Sequence, residues 1–166
     1  IQFWGGDQWL QAVLLQQDGD DDYKSAKYDS AANKYRKAMQ ILVDLEISIP
    51  TRLQEALKRG QKAILAGNKD QAVSNFEIAL AIDGINQEAK RGLDRALKLE
   101  RVLELTALGV NFEAEREWQN AMQSYANALV IDSEWMGAVD GLARSTEAFE
   151  AEQYQGFLSS GYQLIK

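Results

Sequence analysis

The chain has 166 residues, 46% apolar and 26% charged, enough for a sizeable core in an ordinary globular composition. It has no His and no Cys, which excludes His general bases, Ser-His and Cys-His nucleophiles, disulfides, and zinc or haem ligation by those residues. A net charge of −7 argues against a nucleic-acid surface and against attraction to anionic lipid, and no cofactor or metal is expected.

Residues 1–6, Ile-Gln-Phe-Trp-Gly-Gly, read as a linker at the edge of the chain. An alternative is the end of a preceding membrane helix with Trp4 at the interface. That alternative favours the periplasmic or extracytoplasmic side of a membrane-tethered protein, with the cytoplasm as the other option. No stretch reaches the ~18 apolar residues of a membrane span, so no insertion by this segment is expected.

From there helical periodicity takes over almost everywhere. Asp7 is placed to cap a first helix carrying Trp9, Leu10, Val13 and Leu14. A second is predicted over about 29–47, with Ala31, Tyr35, Ala38, Met39, Leu42 and Leu45 on successive turns. Pro50 should end it, because the residue before a proline is pushed out of the α region, and Thr51 should cap a third helix. Gly67-Asn68 marks a turn, Asp70 opens a fourth helix, and Asp83-Gly84 closes it. One long helix is predicted from Asn86 to about Glu115, because Arg91, Asp94, Lys98 and Arg101 keep one polar stripe. A sixth covers Trp118 to Ile131, and a last long helix runs from about Glu134 to the C-terminus.

The chain also repeats itself. Residues 72–95 match residues 121–144 at a constant offset, with Ala72/Ala121, Ala79/Ala128, Leu80/Leu129, Ile82/Ile131, Asp83/Asp132, Ala89/Ala138, Gly92/Gly141, Leu93/Leu142 and Arg95/Arg144 identical. A fixed period of tens of residues is the mark of stacked helical units. Alanine pairs seven apart flank an aromatic residue in each unit: Ala31–Tyr35–Ala38, Ala72–Phe76–Ala79 and Ala121–Tyr125–Ala128. The alanines let a neighbouring backbone approach, and the ring fills the wedge beyond them.

This pattern resembles the tetratricopeptide repeat. Three units fit its small and aromatic positions: Gly19, Ala31, Tyr35, Ala38; Gly60, Ala72, Phe76, Ala79, Gly84; and Gly109, Ala121, Tyr125, Ala128, Ser133. Tyr28 and Trp118 sit at a further position where the family often has an aromatic residue. The resemblance implies an all-α fold of antiparallel helical hairpins stacked as a solenoid. About three repeats plus a long C-terminal helix would form a single domain over 7–166, with units at about 7–48, 51–83 and 86–132 and a terminal helix at 134–166. The units here are spaced more widely than the family's, and the surplus is close to whole helical turns, so elongated helices are expected.

The resemblance also implies a groove for a partner. Its positions fall at Val13, Gln16, Asp20, Tyr23 and Lys24, at Gln54, Leu57, Gln61, Ile64 and Leu65, and at Leu103, Thr106, Val110, Glu113 and Ala114. The candidate partner groove is Gln54, Leu57, Lys58, Gln61, Ile64, Leu65, Leu103, Thr106 and Val110. A carboxylate clamp of the kind one branch uses is not matched at Gln16, Asp20, Leu103 and Ala107, leaving only Lys58. Asp18, Asp20, Asp22 and Asp29 echo a calcium loop, but Tyr23 stands where that loop needs Gly, so the run is expected to be solvated and poorly helical. Glu113, Glu115 and Glu117 read as surface charges, as do Glu150 and Glu152.

The expected function is a non-catalytic protein–protein interaction scaffold that binds a peptide or helix of a partner, within a larger bacterial protein. The alternative is a structural spacer or dimerisation module for an attached catalytic or sensory domain. Tyr154, Phe157, Leu158, Tyr162, Leu164 and Ile165 lack a following hairpin, so a homodimer through the C-terminal helix is a further expectation.

Overall fold

The computed structural model describes residues 3–164, with side chains through residue 160. Ile1 and Gln2, and the side chains of Tyr162, Leu164 and Ile165, lie outside the described residues. Within them the chain is all-helical: α1 Gly6–Lys24, α2 Tyr28–Leu65, α3 Lys69–Ile82, α4 Gln87–Ala114, α5 Trp118–Ile131 and α6 Met136–Leu164. It divides into two compact units, Ile1–Ala96 and Leu97–Lys166, with the boundary inside α4. No described helix is long and apolar enough to cross a membrane.

Three helix junctions share one turn. At each, a residue in the left-handed region ends the helix: Ala26 (φ 60), Gly67 (φ 71) and Arg116 (φ 59). The amides of Lys27, Asn68 and Glu117 donate to the carbonyls of Asp22, Ala63 and Phe112, each at 2.9 Å. The amides of Ala26, Gly67 and Arg116 donate to the carbonyls of Tyr23, Ile64 and Glu113. This is a Schellman closure, which satisfies carbonyls the helix end would otherwise orphan. Only Gly67 adopts that backbone without steric cost, so the signal was visible in the sequence at one junction of three. Asn68 then caps α3, its Oδ1 accepting from the Gln71 amide at 3.1 Å.

α2 corrects the expected break at Pro50. Tyr28–Leu65 is one helix of 38 residues with Pro50 inside it, so Thr51 caps nothing and the expected unit boundary between 48 and 51 is not a turn. A proline there removes one helical hydrogen bond and crowds the preceding turn, at about 3 kcal/mol in an ordinary helix. Burial on both sides offsets this, with Leu45 fully buried before it and Ala56 and Leu57 after it. Arg52 ties the following turn down. Its Nε donates to Ser48 Oγ (2.9 Å), Nη1 to the Trp4 carbonyl (3.1 Å) and Nη2 to Gln8 Oε1 (2.6 Å). Its guanidinium also lies 5.8 Å from the Trp4 ring centroid, within cation–π range. The Phe3–Gly6 stretch, expected to be a linker, is therefore held against α2 at Trp4. Pro50→Ala restores the amide in a geometry that is already helical, and should raise stability by roughly 1–2 kcal/mol, read from the urea midpoint.

The aspartate run is a second correction. It is helical to Lys24, with Gly5 rather than Asp7 at the N-cap position. Carboxylates at a helix C-terminus oppose the macrodipole. Here α2 supplies the donors that reverse the balance. Lys34 Nζ lies 2.6 Å from Asp22 Oδ2, and Ser30 Oγ donates to the same oxygen at 2.6 Å. Lys24 Nζ pairs with Asp21 at 3.2 Å.

In the first unit the core runs through Ala12, Ala31, Ala38, Leu45, Leu57, Ile64, Ala72, Phe76 and Ala79, all buried. In the second, Val102, Leu105, Ala121, Tyr125, Ala128 and Ala138 form one cluster, with Phe112, Leu129, Ile131, Trp135 and Leu142 packed on it. All six alanines of the three flanking pairs are buried.

Candidate functional site: ring stacks, a carboxylate cluster and an apolar groove

The aromatic residue of each unit packs against glycine. A Cβ built on Gly60 would stand 2.8 Å from the Phe76 ring, and one built on Gly92 would stand only 2.2 Å from it. Tyr125 is enclosed in the same way, with Gly109 at 2.6 Å and Gly141 at 2.4 Å. Each ring is thus held by glycines from two helices that leave no room for a methyl group. Tyr35 has such a contact with Gly19, at 2.6 Å, and no other described glycine meets it. Thr51 stands sixteen residues after Tyr35, where Gly92 and Gly141 stand after their own rings. Because α2 continues through Pro50, Thr51 is about 24 Å further along the same helix and cannot pack on that ring.

The tyrosine hydroxyls find carboxylates. Tyr35 Oη donates to Asp20 Oδ1 at 2.7 Å. Tyr125 Oη donates to Glu113 Oε2 at 3.0 Å. Phe76 has no hydroxyl, and Ile64 takes the place on α2 that Glu113 takes on α4, four residues after the facing glycine.

Glu113 is also reached by Arg144 Nη2 at 3.1 Å on Oε2 and by Ser145 Oγ at 2.9 Å on Oε1. Both oxygens of a half-buried carboxylate are therefore satisfied. This corrects its reading as a surface charge. Glu115 is exposed, and the exposed Glu117 carboxylate accepts from Asn120 at 2.6 Å. Burial alone would raise the Glu113 pKa, but the hydrogen bonds from Arg144, Ser145 and Tyr125 together hold it below its ordinary value. Burial, and then the bond to Glu113, push the Tyr125 hydroxyl up to about 12. The bond to Asp20, and then burial, push the Tyr35 hydroxyl to about 12. The hydrogen bonds from Lys34 and Ser30 lower Asp22.

The expected groove residues divide. Leu57 and Ile64, each only 2% exposed, face the core and cannot touch a partner, so their assignment is corrected. The misassignment has a simple origin: periodicity places an apolar residue on a face but does not say whether that face is covered. Gln54 and Lys58 share a shallow depression with Pro50, Thr51 and Glu55. Gln61, Leu65 and Val110 are exposed, and Leu103 and Thr106 are half-buried. The Thr106 hydroxyl is used within its own helix, donating to the Val102 carbonyl at 2.7 Å.

An apolar groove lies instead between α1 and α2. It has a volume of about 260 Å³ and is lined by Trp9, Ala12, Val13, Gln16, Tyr35, Ala38, Met39 and Leu42. Of these, Val13 and Gln16 were among the positions the repeat pattern implied. Met39 is 66% exposed, and Leu10, Leu14, Val43 and Ile47 on the same two helices are exposed as well. Asp20, Tyr23 and Lys24 do not line it. Asp20 is bound to Tyr35, Tyr23 stacks edge-on with Tyr28 at 5.4 Å, and Lys24 pairs with Asp21.

Among the described residues no group of three or more acidic side chains is placed to hold a metal ion. Comparison with family models, with curated proteins and with solved structures finds no match.

Proposed function

We propose that this chain is a non-catalytic interaction scaffold of tetratricopeptide-like hairpins, and that it holds an apolar helix of a partner in the groove between α1 and α2. The observation that carries the reading is that groove. It is built from Trp9, Val13, Met39 and Leu42, and it stands where a regular repeat would fold its next helix back. The shared turn at Ala26, Gly67 and Arg116, and the glycine-backed rings at Tyr35, Phe76 and Tyr125, support a repeat origin. Arg36, exposed at the flank of the groove face, favours a helix with an acidic flank. An amphipathic helix laid in an apolar groove is a common recognition mode.

A synthetic peptide with leucines at i, i+3, i+4 and i+7 and glutamates on its other face tests this by calorimetry. It should bind the chain, and Met39→Glu or Leu42→Glu should weaken binding at least ~10-fold while leaving helical circular dichroism unchanged. Absence of binding, or binding that ignores both substitutions, rejects the groove. The spacer or dimerisation reading draws on Tyr154, Phe157 and Leu158, which α6 leaves exposed.

A further inference from the structure

Of the three repeat rings, Tyr35 meets one described glycine where Phe76 and Tyr125 meet two, and a later copy of the glycine motif meets no ring. The two helices that close on rings do so with the same short motif. It is Gly92-Leu93-x-x-Ala96 on Phe76 and Gly141-Leu142-x-x-Ser145 on Tyr125, with Ala96 and Ser145 fully buried. A third copy, Gly156-Phe157-x-x-Ser160, lies about four turns further along α6. A Cβ on Gly156 would meet nothing within 4 Å, and Phe157 is 73% exposed. The ring backed by a single described glycine is Tyr35, half-buried in the lining of the α1–α2 groove.

Charge agrees with the match. Residues 146–160 carry Glu147, Glu150 and Glu152 and no Lys or Arg. On α2, Arg36 is exposed one position after Tyr35, at the flank of the face that Tyr35, Met39 and Leu42 make, and the Asp20 carboxylate beside it is taken up by the Tyr35 hydroxyl. Opposite charges on the two surfaces select the pairing and speed encounter.

We propose that the α1–α2 groove of one copy takes the distal part of α6 from a second copy, with Gly156 laid on the Tyr35 ring as Gly92 lies on Phe76 and Gly141 on Tyr125. The proposal rests on the reading of that groove as a helix-binding site, and it names the helix. The contact is heterologous, since a groove meets a helix end and not its own twin. The pair then still has one free groove and one free α6 end, on different copies, so further copies can add. The groove is incomplete without the second copy, because only that copy supplies the glycine face the Tyr35 ring lacks.

Sedimentation of the 166-residue chain tests the contact. The weight-average mass should climb above 18.6 kDa with concentration, and less steeply at high salt. Gly156→Ala sits in open space in the single chain, so it should leave folding intact while weakening association at least ~10-fold, as a methyl group there would strike the ring. Met39→Glu should weaken it comparably. An equimolar mixture of the two variants should form a one-to-one complex, because one contributes an intact groove and the other an intact α6. A wild-type mass fixed at 18.6 kDa at every concentration overturns the contact. So does association that Gly156→Ala leaves unchanged. Association lost in Phe157→Glu but kept in Met39→Glu also overturns it, by showing that α6 pairs with itself. In each of these cases the synthetic-peptide measurement still decides the groove on its own.

Discussion

Gly141→Ala should destabilise the chain by about 1 kcal/mol, although it replaces a poor helix former with the best one. A mid-helix glycine costs roughly 1 kcal/mol relative to alanine, so an open site would gain that amount. At Gly141 the new methyl group would fall 2.4 Å from Cζ and 2.5 Å from Cε1 of Tyr125. The ring cannot slide away. Gly109 backs it on the other helix at 2.6 Å, its hydroxyl is bonded to Glu113, and it is fully buried. Overpacking of a closed core costs about 1–3 kcal/mol and occasionally more, which outweighs the propensity gain. Gly92→Ala, with the Phe76 ring at 2.2 Å, should behave alike. Urea midpoints compared with Gly156→Ala, where the helix gain should stand alone, provide the measurement. Equal stabilisation in all three variants would show that the rings are free to move.

Glu113→Ala should cost about 3 kcal/mol. The loss is that of leaving other groups unpaired, since Tyr125 and Ser145 are both fully buried and both donate to this carboxylate. Glu113→Gln keeps an acceptor and should cost less. The pH dependence follows from the same bonds. Glu113 is lowered in the folded chain, so its contribution is complete above the ordinary carboxylate value of about 4.3 and is lost as pH falls through the lowered value. Asp22 acts in the same sense. Tyr125 is raised, so its contribution is complete below the ordinary tyrosine value of about 10 and is lost as pH rises from there to about 12. Absorbance at the phenolate band should show two of the six tyrosines, Tyr35 and Tyr125, ionising near 12 while the chain stays folded. Glu113→Ala should remove the acid-side loss that Glu113 contributes. An unchanged acid limb would refute the assignment.

Local rules had already placed much of this. α5 begins at Trp118 and ends at Ile131, where the 3.6-residue period and the Asp132 turn put its ends. The polar stripe through Arg91, Asp94, Lys98 and Arg101 implied one helix, and α4 is one helix. The alanine pairs are in the core, with Phe76 and Tyr125, because a seven-residue spacing keeps both alanines on one face.

Pro50 misled because local propensity sees the missing amide and not the buried Leu45 and Leu57 or the Arg52 bonds that offset it. The aspartate run misled for a similar reason, since Lys34 and Ser30 reach Asp22 from another helix. Leu57, Ile64 and Glu113 were misplaced between surface and core because periodicity names a face without saying what lies against it.

What the sequence by itself determined is therefore the helical class, most helix ends and the recurring small–aromatic–small wedge. Each of these follows from the chemistry of a few consecutive turns. Only the tertiary structure decided that α2 runs on through Pro50. A continuous helix carries residues 51–65 away from the Tyr35 ring instead of folding them back over it. The apolar surface left between α1 and α2 is the result, because burial depends on which helix returns to cover a face, and no local pattern encodes that return.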